Sequence, residues 1–461
     1  MTTPSATVDQ YTDRQRYQRP WYWYDWANSA FVTTVGTVLF GPYLTSVATE
    51  AACPGLPDNA TCTTNLHVLG VPIDPGSLAP YTITVATLLS AVLLIFAGAI
   101  ADRSPRPVRL LGLFAWVGSL AGAGLFFVTG TRWALGAVLM IIASIALGAS
   151  LVVYDAILCQ IARPDDRDKV SSRGWALGYL GGGLLLAINL VIVVKPGLIG
   201  VDKAMAVRIS LLSAALWWAV FTLIPVIGLW NLRGSEIPRE DRPQAGVVRG
   251  SVGQLAHTFR AMQRFPQTMK FLLAYLFFND GIQTVITSSS LYGSEQLKFG
   301  EQQLIALILL VQFVAFGGAL LFGRFAARYG AFRTVLNSLV AWSLIVIAAY
   351  FLPEKAFLPF LVLGVLIGIV LGGSQALSRS LFSQLVPKSR EAEFFSFYQA
   401  MERGTSWFGT LLFGLVHQLT HSYRPAIVAL ILFFVVGGLL LRRVDVRQGV
   451  LDAGNELPAV L

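Results

Sequence analysis

Long apolar runs decide what this chain can become. Twelve of them follow one another, at roughly 24–48, 79–100, 110–129, 134–160, 174–194, 209–231, 270–291, 302–323, 334–352, 357–382, 394–416 and 425–441. Crossing about 30 Å of hydrocarbon takes roughly 20 apolar residues in a helix. Backbone polar groups find no water there, so each run must satisfy them within itself as an α-helix. The alternating pattern of a membrane barrel is absent from these continuous runs. Composition agrees, with 55% hydrophobic and only 13% charged residues, against about 25% charged in an ordinary soluble domain. The expected fold class is an all-α membrane protein of twelve transmembrane helices.

The net charge of +9 does not point to nucleic acid, because the basic residues sit in short loops. Arg14, Arg16 and Arg19 precede span 1, and Arg103, Arg106 and Arg109 follow span 2. Arg163, Arg167, Lys169 and Arg173 follow span 4, and Arg442, Arg443 and Arg447 follow span 12. The loops of the other side carry few. This asymmetry places both termini in the cytoplasm. The expected division is an N-tail at 1–23, six helices at 24–231, a linker at 232–269, six helices at 270–441 and a C-tail at 442–461. In the linker, Val252, Leu255, Phe259 and Met262 recur at helical spacing, which suits a helix on the inner leaflet or a solvated one. Trp21, Tyr22, Trp23, Tyr24 and Trp26 read as an aromatic anchor at the inner interface. The polar first twenty residues give no cleavable signal peptide. Cys53 and Cys62 share a polar loop on the outer, oxidising side and are expected to pair. The histidines lack metal spacing and no phosphate-cradling glycine loop occurs, so neither metal nor cofactor is expected, nor an enzyme.

The two sets of six helices repeat one another. Tyr24-Asp-Trp-Ala-Asn28 in span 1 matches Tyr275-Leu-Phe-Phe-Asn279 in span 7. Gly98-x-x-Ala101-Asp102-Arg103 matches Gly323-x-x-Ala326-Ala327-Arg328, and Pro164-x-x-Arg167 matches Pro387-x-x-Arg390. Three matches in the same order indicate two pseudo-symmetric six-helix halves, a known transporter plan with the site between the halves.

Several stretches carry a family resemblance. Gly98-Ala-Ile-Ala-Asp102-Arg103-Ser-Pro-Arg106 resembles the loop 2–3 signature of the major facilitator superfamily. Tyr24-Asp25-Trp26-Ala27-Asn28-Ser29-Ala30-Phe31 is similar to the start of the vacuole-effluxer-like family, which includes the autophagy-associated vacuolar amino-acid permease of fungi. Ser171-Ser172-Arg173-Gly174, Asn279-Asp280-Gly281-Ile282-Gln283-Thr284, Gly372 through Ser380 and Glu391-Ala392-Glu393-Phe394-Phe395 also match. The resemblance implies alternating access, amino acids as the favoured substrates, and Asp102 as a latch contacting the start of span 11 in one access state. The pattern departs at Pro105, where glycine is common, and at Ala327, so only the first loop supplies the carboxylate.

Charges within spans are costly, roughly 2.5–3.5 kcal/mol each on insertion scales. Asn279, Asp280, Gln283, Thr284, Thr287 and Ser288 form one polar stripe in span 7. Gln399, Glu402, Arg403, Ser406 and Thr410 form another in span 11. Each stripe either lines a substrate or ion pathway or bonds neighbouring helices. Glu402 and Arg403 diverge by about 100°, so they should not pair; Arg379 of span 10 is the candidate partner of Glu402. Asp280 is the first choice for proton binding and Glu402 the second. Asp25 and Asp155, nearer the cytoplasm, read as a gate or a structural ion pair, and Gly98, Asp102, Arg103, Arg106 and Arg379 join the gating set. Asn28 and Asn279 are expected to face each other across a central cavity, or to serve helix packing. Gly174-x-x-x-Gly178-x-x-x-Gly182 permits close helix approach.

The reading is a monomeric secondary transporter in a plasma membrane, the inner one for a bacterium, with lipid around it. Its expected partner is a small polar solute, amino acids being named by the resemblance alone, with proton coupling. The alternatives are an exporter of amphiphilic compounds and a non-transporting receptor or scaffold.

Overall fold

The computed structural model describes residues 5–55, 62–68, 70–234, 262–404 and 406–461. Ten helices among these are long and apolar enough to cross a membrane. They are spans 1 to 6, 8 to 10 and 12 of the sequence pattern. Span 7 (Pro266–Leu291) and span 11 (Glu391–Gly404 with Ser406–Thr420) complete the twelve. These two carry the polar stripes. The bundle is thus an all-α membrane protein with two pseudo-symmetric six-helix halves.

Span 1 begins earlier than its apolar run. It is helical from Ser5 to Phe31, turns π-helical over Val32–Leu39 and continues as Phe40–Ala52. Span 7 passes likewise into a π-helical Tyr292–Gln296. Such wide turns gather at functional positions in helices. The remaining spans are Leu78–Arg103, Pro107–Gly124, Trp133–Ile161, Arg167–Val194, Lys203–Gly228, Glu301–Tyr329, Ala331–Tyr350, Phe357–Gln384 and a final pair, Tyr423–Ala429 and Ile431–Arg442. A short hairpin pairs β1 (Leu66–Val68) with β2 (Val71–Ile73) in the loop after span 1. The same loop holds a disulfide between Cys53 and Cys62.

Between the halves, span 2 packs on span 11 and span 8 on span 5. A shift of six helices turns the first pair into the second, so the interface obeys the duplication seen in sequence. Gly98 makes the first contact possible: a Cβ there would stand 2.5 Å from the Ala392 carbonyl oxygen and 2.8 Å from Ser396 Cβ.

The structure corrects the aromatic anchor. Trp21, Tyr22 and Tyr24 are buried inside the bundle, Trp21 completely, and Trp21 stacks on Tyr154 at 4.2 Å. Only Trp23 and Trp26 remain partly exposed. The proposed linker helix lies outside the described residues except for Met262, which is buried. The C-terminal segment is docked rather than trailing. Val446–Asp452 is helical, Asn455 Nδ2 donates to the carbonyls of Gln384 and Val386 at 2.9 and 2.8 Å, and the Ala459 N–H donates to Asp165 Oδ1 at 2.6 Å. That last bond reaches the opposite half.

Candidate functional site

Every residue of span 10 from Val370 to Gln384 is buried, and Arg379 lies among them. A guanidinium survives there only if its five N–H donors find acceptors. Arg379 Nη2 stands 3.1 Å from Asp25 Oδ2, and Nη1 3.2 Å from Asp155 Oδ1. Nε donates to Ser171 Oγ at 3.0 Å and Nη2 to the Ser171 carbonyl at 3.1 Å. Trp21, Tyr154 and Trp175 pack round it, with ring centroids 5.0, 5.4 and 5.4 Å from its central carbon, a favourable cation–π arrangement. The carboxylates are held in turn: Tyr154 Oη donates to Asp25 Oδ2 and Gln399 Nε2 to Asp155 Oδ2, both at 2.8 Å. Gly174 leaves room for this hub, since a Cβ there would fall 2.5 Å from Asp25 Oδ2. A cation of the second half is thereby gripped by acids of the first.

This overturns one sequence assignment. Arg379 pairs with Asp25 and Asp155, and not with Glu402, which accepts instead from Tyr275 Oη at 3.2 Å. Helical periodicity says which residues share a face; it does not say which of several helices that face meets.

Nearer the basic loops, Asp102 accepts from the backbone N–H groups of Ala392 and Glu393, both at 2.8 Å. A carboxylate over the first turn of a helix satisfies free N–H groups and opposes the helix dipole. Further bonds cross between halves close by. Arg167 Nη1 donates to the Ser383 carbonyl at 2.6 Å, Gln384 Nε2 to the Pro164 carbonyl at 2.7 Å, and Ser171 Oγ to the Ala376 carbonyl at 2.7 Å. Ser380 also bonds Asp168. Among the described residues, one side-chain bond between halves lies apart from this set, Gln312 Nε2 to Thr33 Oγ1 at 3.2 Å near mid-span. The bundle is therefore closed at its basic end. Arg103 and Arg106 stay exposed and take no part in the closure.

A second polar cluster sits deeper. Gln375 Nε2 donates to Asn279 Oδ1 at 2.9 Å, and Asn279 Nδ2 to the Glu402 carbonyl at 3.5 Å. Tyr275 stacks on Tyr398 at 4.2 Å beneath Glu402. Asn28 bonds its own helix, Nδ2 to the Tyr24 carbonyl at 2.6 Å, so each member of the duplicated asparagine pair is engaged within its own half. Asp280 Oδ2 accepts from the Gly409 N–H at 2.8 Å, while Oδ1 is buried without a partner among the described residues. Gln283 is partly buried one turn further on. Sequence reasoning passed over Gln375, Tyr154, Trp175, Arg167 and Asp168 as site residues. Gln375 lay within the quoted Gly-Gly-Ser-Gln stretch, and Arg167 and Asp168 followed the duplicated proline; those were the available signals.

Two pseudo-symmetric halves, pairing span 2 with 11 and 5 with 8 and locked at one end by buried charge, define a membrane transporter of the major facilitator type. The human organic anion transporter MFSD10 superposes with a TM-score of 0.66 at 14% identity, covering 93% of this chain and 99% of that one. FucP in the outward conformation gives 0.65 at 11% identity, covering 93% and 99%. More particularly, the chain belongs to the vacuole effluxer Atg22-like family, whose model matches residues 13–454. It is 31% identical over 447 residues to YxiO of Bacillus subtilis (strain 168), described as an uncharacterized MFS-type transporter, covering 96% of this chain and 98% of that protein. Autophagy-related protein 22 of Pyricularia oryzae is 26% identical over 475 residues, covering 86% and 69%.

Proposed function

We propose that this transporter moves a small polar solute, amino acids foremost, by alternating access across a plasma membrane, with both termini cytoplasmic and proton movement coupled at Asp280 or Glu402. The observation that carries the reading is the one-sided closure. Arg379, Asp25, Asp155 and Asp102 join the halves at the basic end, whereas deeper in the second half Asp280 Oδ1, Gln375 Oε1, Gln399 Oε1 and Arg403 Nε are buried without a hydrogen-bond partner among the described residues. A carrier requires such a division between gate and site, because closing the gate must be separable from holding the solute. The basic end is cytoplasmic by the positive-inside rule, so the conformation is closed inward. Asp280 suits proton coupling because one oxygen is tied to the backbone and the other is left free to take a proton.

The test is counterflow in proteoliposomes against a panel of labelled amino acids, with and without a pH gradient. The expected result is exchange of at least one amino acid and its accumulation when the gradient is imposed. Asp280→Asn should keep exchange and lose gradient-driven accumulation. Gradient-driven accumulation that survives in Asp280→Asn moves the proton to Glu402, and absence of any counterflow overturns the carrier reading.

A further inference from the structure

Residues 445–461 run as a strap across the basic end, and its anchors lie on the second half. The short helix Val446–Asp452 opens under Asp445, whose carboxylate accepts from the Gln448 N–H at 2.9 Å. The Asp445 N–H donates to Gln267 Oε1 at 3.0 Å, in the first turn of span 7. Val446 and Val450 are buried. Gly449 lets the helix lie close, since a Cβ there would stand 2.7 Å from Leu385 Cδ2 and 2.9 Å from Gln267 Cβ. The left-handed Gly454, with φ of +69°, then ends the helix: its N–H donates to the Leu451 carbonyl at 2.9 Å and that of Asn455 to the Val450 carbonyl at 3.0 Å, the bonds of a Schellman cap. This stop aims the buried Asn455 side chain at the Gln384 and Val386 carbonyls, where span 10 ends.

The second anchor is Leu461. It is packed against Gly330, between spans 8 and 9, where a Cβ would collide with the Leu461 carbonyl. Between Asn455 and Leu461 the strap meets the first half, through the bond of 2.6 Å from the Ala459 N–H to Asp165 Oδ1. Asp165 lies in the turn Pro164–Asp166 that joins spans 4 and 5. Gln384 connects the strap to the direct closure: its carbonyl holds Asn455, while its Nε2 donates to the carbonyl of Pro164, the neighbour of Asp165. The two sides of the strap are unequal. Its hold on the second half is multiple and largely buried; its hold on the first half is a hydrogen bond between two exposed residues.

We propose that residues 445–461 are a clasp, carried by the second half, that catches Asp165 of the first half and biases the basic end toward closure. When that end opens, the strap stays on spans 7 and 10 and releases Asp165. The donor is a main-chain N–H, so the clasp depends on the path of the strap and not on the side chain at position 459. The proposal takes from the carrier reading only that the basic end opens and closes; it requires no particular solute.

The experiment measures distances between spin labels on the loop after span 2 and the loop before span 11, in the purified full chain without solute. Ala459→Pro removes the donor, Asp165→Ala removes the acceptor, and Asp165→Asn keeps an oxygen to accept the bond. Ala459→Pro and Asp165→Ala should each raise the ratio of open to closed forms by about two- to tenfold, the range of one net hydrogen bond. Combined, they should shift it no further than either alone. Asp165→Asn should stay near the unsubstituted protein. An unchanged distribution in Ala459→Pro overturns the clasp, as does a double variant whose shift is the sum of the two. Should Asp165→Ala fail to fold, the exposed Ala459 position decides alone. Shifted distances without counterflow of any solute would sink the carrier reading and leave the clasp standing. Counterflow with unshifted distances would do the reverse.

Discussion

Arg379 and Arg403 stand on consecutive spans of the same half, and their surroundings differ sharply. Arg379 is ringed by two carboxylates, a serine and three aromatic faces. Arg403 reaches the opposite half at Gly148 and finds no acceptor among the described residues. A fully answered buried charge belongs to the architecture, because removing any partner strands the others. An unanswered one costs stability in the resting protein, and such a cost is tolerable where a ligand will offset it.

The comparison predicts a steep difference between the two arginines. Arg379→Gln leaves Asp25 and Asp155 buried without their cation, a loss of roughly 3–5 kcal/mol. It should appear as a collapse of thermostability in detergent and of yield in the membrane. Comparable damage from Arg403→Gln would erase the distinction. Gly174→Ala tests the hub from its empty side: the added methyl falls 2.5 Å from Asp25 Oδ2 and should destabilise by about 1–3 kcal/mol. Rescue by Asp25→Asn would show that the clash alone is not the cause.

Asp102→Asn should be milder for folding, because the amide can still accept one of the two N–H bonds. It should weaken the latch by about 1–2 kcal/mol. Distance measurements between labels on the loop after span 2 and the loop before span 11 should then show the basic end opening more often. Solute affinity should be nearly unchanged; lost affinity with an unaltered distance distribution would contradict a gating role. Asp280→Asn keeps the shape and leaves an oxygen for the Gly409 N–H, so its stability should change by under about 1 kcal/mol. Its effect belongs in coupling, read as loss of accumulation under a pH gradient.

Much of this architecture was legible in the amino-acid order. Helix number, the halves and the Cys53–Cys62 loop follow from apolar length, duplication and charge. The contact of Asp102 with the start of span 11 came from resemblance, and its geometry is present here. What stayed hidden were matters of neighbourhood. Trp21 looked interfacial because lipid and a protein interior ask for the same apolar ring; only the buried Arg379 beneath it decides between them. The bond between Arg379 and Asp25 spans 354 residues of sequence, and no periodicity reaches that far. The free oxygens of Gln375 and Gln399 could not be foreseen either, since a glutamine's unused atom is defined only by what its other atom meets.

The hub also has an electrical meaning. Arg379 travels with one half of the molecule, while Asp25 and Asp155 travel with the other. Opening the basic end, as proposed, would draw these unlike charges apart. A unit charge carried fully across 100 mV exchanges about 2.3 kcal/mol with the field, and a partial crossing exchanges its share. On the proposed alternating-access reading, any component of that separation along the bilayer normal would make the conformational equilibrium depend on membrane potential through protein charges alone, even for a solute of zero net charge.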